Sequence, residues 1–177
     1  LSLSLVEKGL VADSVTVTVS YDAESLRNPE VMARYKDALH ADYYGRQVPN
    51  HAHGTARFEH PTSSSQQMIE AVSEVFDRVV DPMLLVRRLN ITVNNVVSES
   101  QMAFNMASQQ LDLFTDYEAL RRRNEEEAAT RNRERRMQQA LLGIKKKFGK
   151  NAILKGTNFL NGAMTRERNL QIGGHKA

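Results

Sequence analysis

Three stretches of this chain hold side chains at a spacing that could do chemistry. In SVTVTVSYD (14–22), GTARFEH (54–60) and LLVRRLNITVNNVV (84–97), alternate positions are hydroxyls, amides or arginines: Thr16, Thr18 and Ser20; Thr55 and Arg57; Arg88, Asn90, Thr92 and Asn94. A period of two puts each set on one side of a strand. Such groups donate hydrogen bonds to phosphate and sugar oxygens without reading bases. An ordinary solvated sheet face would carry the same pattern. The absence of Asp from these positions, with Glu59 the one carboxylate, favours phosphate. A second signal is Gln110-Leu111-Asp112-Leu113-Phe114, three apolar residues set among polar ones. The segment reads as a short amphipathic strand in a core or as an exposed peptide for a partner protein. In the second reading Leu113 and Phe114 are anchors for an apolar pocket and Gln110 bonds at its rim.

Other groups carry less. His51, His53 and His60 could suggest a metal, but a site needs further ligands at defined spacing and a second layer of support, and none is evident. Ser63-Ser64-Ser65 has no partnered base and suits a helix cap. No Gly-rich phosphate loop precedes a helix, and no carboxylate pair stands at the ends of buried strands. No residue is assigned to catalysis, to a metal or to a cofactor.

The elements that must position these residues follow from periodicity. Val15, Val17 and Val19 oppose Thr16, Thr18 and Ser20; Ala56 and Phe58 oppose Thr55, Arg57 and Glu59; Leu89, Ile91 and Val93 face inward. Between the first two strands, Asn28-Pro29-Glu30 predicts a short helix start and Tyr43-Tyr44-Gly45-Arg46 a turn. Residues 61–82 predict the clearest helix, with Ser63 and Ser64 paired to Gln66 and Gln67 in capping boxes. Its apolar stripe is Ile69, Val72, Phe76 and Val79, and Asp81-Pro82 ends it. The order is helix remnant, strand, strand, helix, strand. One more strand ahead of Leu1 would complete a βαββαβ unit with both helices on one face of a four-stranded sheet. Beyond residue 98 a linker leads to the pentapeptide. Thr115 and Glu118 then open a helix to about Phe148, solvated through 121–136, with only Met137, Leu141, Ile144 and Phe148 able to pack. The glycine-punctuated remainder reads as irregular.

Charge divides the chain in the same place. Residues 1–120 hold 9 Lys/Arg against 16 Asp/Glu, whereas 121–177 hold 15 against 5, a net of +10. Such a tail suits a polyanion, nucleic acid foremost, or is simply solvated. With 41% apolar residues and no Trp, the core is modest. No apolar run approaches the length of about 18 residues needed to span a membrane. The opening LSLSLVEKGL lacks Met and is no secretory signal, so it reads as a cut end. The absence of Cys suits a cytoplasmic protein.

RRLNITVNNV (87–96), QLDLF (110–114), KKKFGKNAILKG (145–156) and TRERNLQIGGHKA (165–177) together resemble the C-terminal part of bacterial Y-family translesion DNA polymerases of the UmuC-like kind. The resemblance covers essentially the whole chain. It implies an α+β fold, a partial βαββαβ little-finger domain whose sheet lies along template-primer duplex, then a linker and a helical basic tail. It divides the chain into a truncated DNA-binding domain at 1–97, a linker with a partner motif at 98–116, a charged helix at 117–148 and an irregular basic tail at 149–177. QLDLF is similar to the bacterial sliding-clamp-binding motif, which implies contact through Gln110, Leu111, Asp112, Leu113 and Phe114. The implied partners are DNA and the clamp, with the chain otherwise a monomer in DNA repair of the SOS type. Mg²⁺ is implied only for the full-length polymerase, since the palm, fingers and thumb that carry the family's metal-binding carboxylates have no counterpart here. The rival expectation is a non-catalytic adaptor that binds clamp and DNA and regulates polymerase access.

Overall fold

The computed structural model describes residues 1–101, 117–172 and 175–176. The main elements are α1 (Ser2–Lys8), β1 (Leu10–Tyr21), α2 (Pro29–Tyr35), β2 (Leu39–Ala41), β3 (Gln47–Pro49), β4 (Ala52–Thr62), α3 (Ser65–Val79), β5 (Val86–Asn94), β6 (Val97–Ser98), α4 (Tyr117–Phe148), α5 (Thr165–Arg168), β7 (Gln171–Ile172) and β8 (His175–Lys176). They fall into two compact units. One holds residues 9–101 with Ser2; the other holds Leu1, residues 3–8 and the described residues from 117 on. The fold is α+β, a small antiparallel sheet with helices, followed by a helical C-terminal section.

In the sheet unit, β1 is central. It pairs antiparallel with β4 on one side and with β5 on the other. The fourth strand of this sheet is the short β6, which pairs with Leu10 and Val11. Asn95, at a φ of 48°, makes the left-handed step between β5 and β6 that asparagine tolerates better than most residues. Val15, Val17 and Val19 are completely buried, and Thr16, Thr18 and Ser20 are half-buried on the other side, as the alternation predicts.

One helix covers the β4 and β1 part of the apolar side. α3 starts where the side chain of Ser64 accepts the Gln67 N–H (3.2 Å), one of the two predicted capping pairs. The helix packs on β4 and β1 and comes close at Gly54, where a Cβ would lie 2.8 Å from Val79 Cγ1 and 2.9 Å from Val75 Cγ1. This close approach requires glycine.

Two expectations about the core need correction. Ile69 is exposed, whereas Val72, Phe76 and Val79 pack against the core as read; the buried residues of α3 are Met68 and Val75, which the stripe read in sequence left out. Leu89 and Ile91 do stand on the same side as Val19 and Val17, their register partners. They are nevertheless 42% and 40% exposed, because α3 lies over β4 and β1 and leaves the β5 margin of that face uncovered.

Residues 22–51 join β1 to β4 as a small folded insertion. Asn28 caps α2 through the Glu30 N–H (3.0 Å) with Pro29 in the first turn, as the sequence predicts. The predicted turn becomes the tip of the β2–β3 hairpin. There Asp42 accepts the Tyr44 and Arg46 N–H groups and both Nε (2.9 Å) and Nη2 (2.6 Å) of Arg46. The Arg46 guanidinium holds the Asp42 carboxyl below its usual value. The Tyr35 hydroxyl donates to Asp81, whose own N–H donates to the Tyr21 hydroxyl (2.9 Å), tying the insertion to the end of α3. That bond to Asp81 raises the Tyr35 phenol above the usual tyrosine value.

In the C-terminal unit, α4 ends at Gly149, whose φ of 91° and N–H to Lys145 C=O (2.9 Å) close the helix. Of the four residues able to pack at its end, three do not. Met137, Ile144 and Phe148 are exposed and Leu141 half-buried, while Gln138 is only 2% exposed. The capping pair at Thr115 lies outside the described residues.

Candidate nucleic-acid interface

Register decides which side chains share a face, because directly paired residues in an antiparallel ladder point the same way. Ser14 pairs with Arg57 and Asn94, Thr16 with Thr55 and Thr92, Thr18 with His53 and Asn90, and Ser20 with Arg88. The structure therefore brings Thr16, Thr18, Ser20, Thr55, Arg57, Arg88, Asn90, Thr92 and Asn94 onto one continuous face, opposite the valines that α3 covers. Thr55, Arg57, Arg88, Asn90 and Thr92 are exposed; the other members are half-buried.

The centre of this face is a hydrogen-bonded row across three strands. The Thr16 and Thr55 hydroxyls are 2.8 Å apart, and the Asn94 side-chain amide donates to Thr16 Oγ1 at 2.9 Å. These groups carry four side-chain N–H or O–H hydrogens in all. The row uses one hydroxyl hydrogen and one amide hydrogen, and the remaining ones stay available to a ligand oxygen.

Sequence reading missed three neighbours. Ser14 and His53 share the face by register, and extending the alternation one step along each strand would have found them. Asp13 could not be found that way, because it sits where the β1–β4 register shifts between Ala12 and Ser14; a bulge breaks the period on which the reading depends. Its carboxylate accepts from the Ser14 hydroxyl (2.6 Å) and the Asn95 amide (2.8 Å). Those bonds, with Arg57 nearby, hold its pKa below the usual value. With Asp13 and Glu59 set against Arg57 and Arg88, the face is polar but close to neutral.

The remaining sites are of another kind. Gln110, Leu111, Asp112, Leu113 and Phe114 lie outside the described residues. His51 and His53 stand with ring centroids 6.1 Å apart, as do His40 and His51. Among the described residues no group of His, Cys, Asp or Glu is arranged to hold a metal ion. No helix among them is long and apolar enough to cross a membrane. Lys145, Lys146 and Lys147 form the last turn of α4, where positive charge complements the helix dipole.

Comparison with known proteins agrees with this architecture. No curated protein and no solved structure matches the chain. Residues 1–113, however, match the C-terminal domain of the impB/mucB/samB family, a span that takes in the whole sheet unit. With a three-strand ladder packed under a helix on one side falling inside that span, the chain belongs to this family, as the C-terminal domain of a UmuC-like Y-family polymerase.

Proposed function

We propose that this chain is the DNA-binding and sliding-clamp-binding C-terminal region of an error-prone translesion polymerase, acting in bacterial cytoplasm in SOS-type damage bypass. The observation that supports it is the single polar face assembled by register from Thr16, Thr18, Ser20, Thr55, Arg57, Arg88, Asn90, Thr92 and Asn94. Hydroxyl and amide donors on a stiff sheet suit a duplex backbone, because they fix position without asking for a base sequence. A bypass enzyme has that requirement: its template is arbitrary. Nucleotide addition with Mg²⁺ is left to the catalytic part of such a polymerase. This region places it.

The clamp reading assigns Gln110, Leu113 and Phe114 to a rim hydrogen bond and two pocket anchors, carried on the linker 98–116. Tethering raises the local concentration of polymerase at a clamp that encircles DNA. Replacing Leu113→Ala with Phe114→Ala removes both anchors. Affinity for purified bacterial clamp, read by calorimetry, is expected to fall by about 2–4 kcal/mol, as hot-spot truncations do. The thermal melt of the chain should stay where it was. Unchanged clamp affinity ends the clamp assignment, and a collapsed melt turns the pentapeptide into core.

A further inference from the structure

The last segment of the chain is tied together by polar groups and leaves most of its large apolar side chains exposed. Asn151, Thr165 and Asn169 are half-buried, and they hold the segment together. The Asn169 amide donates to Asn151 Oδ1 (2.7 Å), and the Asn151 amide donates to Arg166 C=O (3.1 Å). The Thr165 hydroxyl donates to Asn158 Oδ1 (3.2 Å). These bonds fasten three stretches, around 151, 158 and 165–169, through polar groups. Ile153 and Leu154 are half-buried with them, but Phe148, Phe159, Leu160, Met164 and Leu170 are each between 56% and 70% exposed. A single exposed leucine needs no explanation, but five such residues within 148–170 do.

Charge selects the ligand. Residues 145–170 hold seven Lys/Arg against one acid, Glu167. Two of the cations already lie by the rings: Lys147 Nζ is 5.2 Å from the Phe148 centroid, and Arg166 Cζ is 5.6 Å from that of Phe159. A ligand for this surface must carry regular negative charge beside flat apolar faces. In duplex DNA the base faces are stacked away; in a single strand they are offered beside every phosphate.

We propose that residues 145–170 form a platform for single-stranded DNA. Bases stack on Phe159 and Phe148, while Arg166, Lys147 and the neighbouring lysines hold the phosphates. Phe159 and Arg166 act as one unit, a ring for the base and a guanidinium for its phosphate. The proposal rests on the reading that the chain's ligand is DNA, and assigns the strand that the tail takes while the sheet takes duplex.

The test uses the full chain and three fluorescent probes of equal charge: oligothymidine of roughly 16 nucleotides, an abasic backbone of the same length, and a duplex. Wild-type chain should bind oligothymidine more tightly than the abasic strand. Phe159→Ala should weaken oligothymidine binding by roughly fivefold to a hundredfold, the loss of one stacked base, with abasic and duplex affinities unchanged. Phe159→Trp should restore it. Asn151→Ala, which removes two of the bonds of the support without altering charge, should weaken oligothymidine binding in the same direction. Equal affinity of wild-type chain for thymidine and abasic strands overturns the platform and makes the apolar set a surface for an acidic protein. So does a Phe159→Ala loss shared equally by all three probes. If the chain binds oligothymidine as expected but ignores duplex, the sheet reading has failed and this one stands.

Discussion

The two units of this chain solve opposite problems with the same kinds of side chain. The sheet unit hides its valines under α3 and turns hydroxyls, amides and a near-balanced set of charges outward. In the C-terminal unit Gln138 is buried, asparagines tie residues 151–169 together, and Phe148, Phe159, Leu160 and Leu170 are left in water among a net charge of +10 over residues 121–177. For DNA the difference separates two quantities, since counterion release makes affinity follow the number of phosphates neutralised, while uncharged donors on a rigid sheet determine where the protein sits.

The largest expected effect breaks that comparison at its charged end. Deleting residues 121–177 removes 15 of the 24 Lys/Arg residues. A protein neutralising about 6–10 phosphates loses roughly 10³–10⁵ in affinity between about 50 and 200 mM salt; most of that dependence should vanish with the tail. A salt titration of duplex binding, followed by fluorescence anisotropy, checks it. If both affinity and slope survive, the tail is solvated or protein-binding and the sheet carries the DNA alone.

The next prediction tests the sheet unit's support. Gly54→Ala places a methyl group 2.8–2.9 Å from methyls of the half-buried Val79 and the buried Val75 of α3, and overpacking of this kind costs about 1–3 kcal/mol. Chemical denaturation should show that loss. Below the transition, duplex binding and its salt slope should be those of the wild type, because no donor on the polar face has changed. A variant as stable as wild type would mean that α3 can shift outward freely, and that Gly54 does not set its distance.

How much of this was legible in the sequence depended on how local the physics was. The alternation in β1 and β4, the Asn28-Pro29 helix start and the Ser64 cap are properties of a few neighbouring residues, and all appear as read. Ile69 failed because a helix with apolar residues on a broad arc does not reveal which part meets the sheet; Gly54, distant in sequence, decides that. Leu89 and Ile91 failed for a related reason. Alternation gives the direction of a side chain, and only the position of α3 says whether anything covers it. Asp13 was hidden by a bulge, which shifts the strand out of period. In the C-terminal unit, the apolar pattern ending α4 looked like packing residues, yet Met137, Ile144 and Phe148 are exposed while Gln138 is buried. Hydropathy alone cannot identify a segment whose support is polar. The face predicted to bind phosphate came together because one central strand sets the register for both neighbours.

A smaller effect is expected from the sheet's two cations. Arg57→Ala with Arg88→Ala removes two charges from the polar face, so the salt slope for duplex should change by at most about two phosphates' worth. The change should be less, because Asp13 lies close enough to Arg57 for their charges to interact. Neither this variant nor the tail deletion should acquire a sequence preference across unrelated duplexes. A loss of slope as large as that from deleting the tail would reverse the division of labour between the units.

The smallest effect is the most specific to the sheet. Thr16 sits at the middle of the row that joins Thr55 to Asn94. Thr16→Val keeps the β-branched shape that suits a strand, removes both hydrogen bonds and alters no charge. The net contribution of such a bond to stability is about 0.5–1.5 kcal/mol, and less where water can replace it, so the melt should move only slightly. Binding should respond differently. Thr55 and Asn94 lose the shared partner that holds them, and each must then be ordered by the DNA at the cost of its own rotamer freedom. Duplex affinity should therefore drop by roughly fivefold, the equivalent of about 1 kcal/mol. The salt slope should stay at the wild-type value, because no phosphate contact made by a cation is lost. This combination of lower affinity, unchanged slope and near-unchanged stability is what a preorganised uncharged donor row predicts. If affinity is untouched, the row is a feature of the fold and the duplex lies elsewhere; if the slope falls too, the hydroxyls had been positioning Arg57 rather than meeting phosphate themselves.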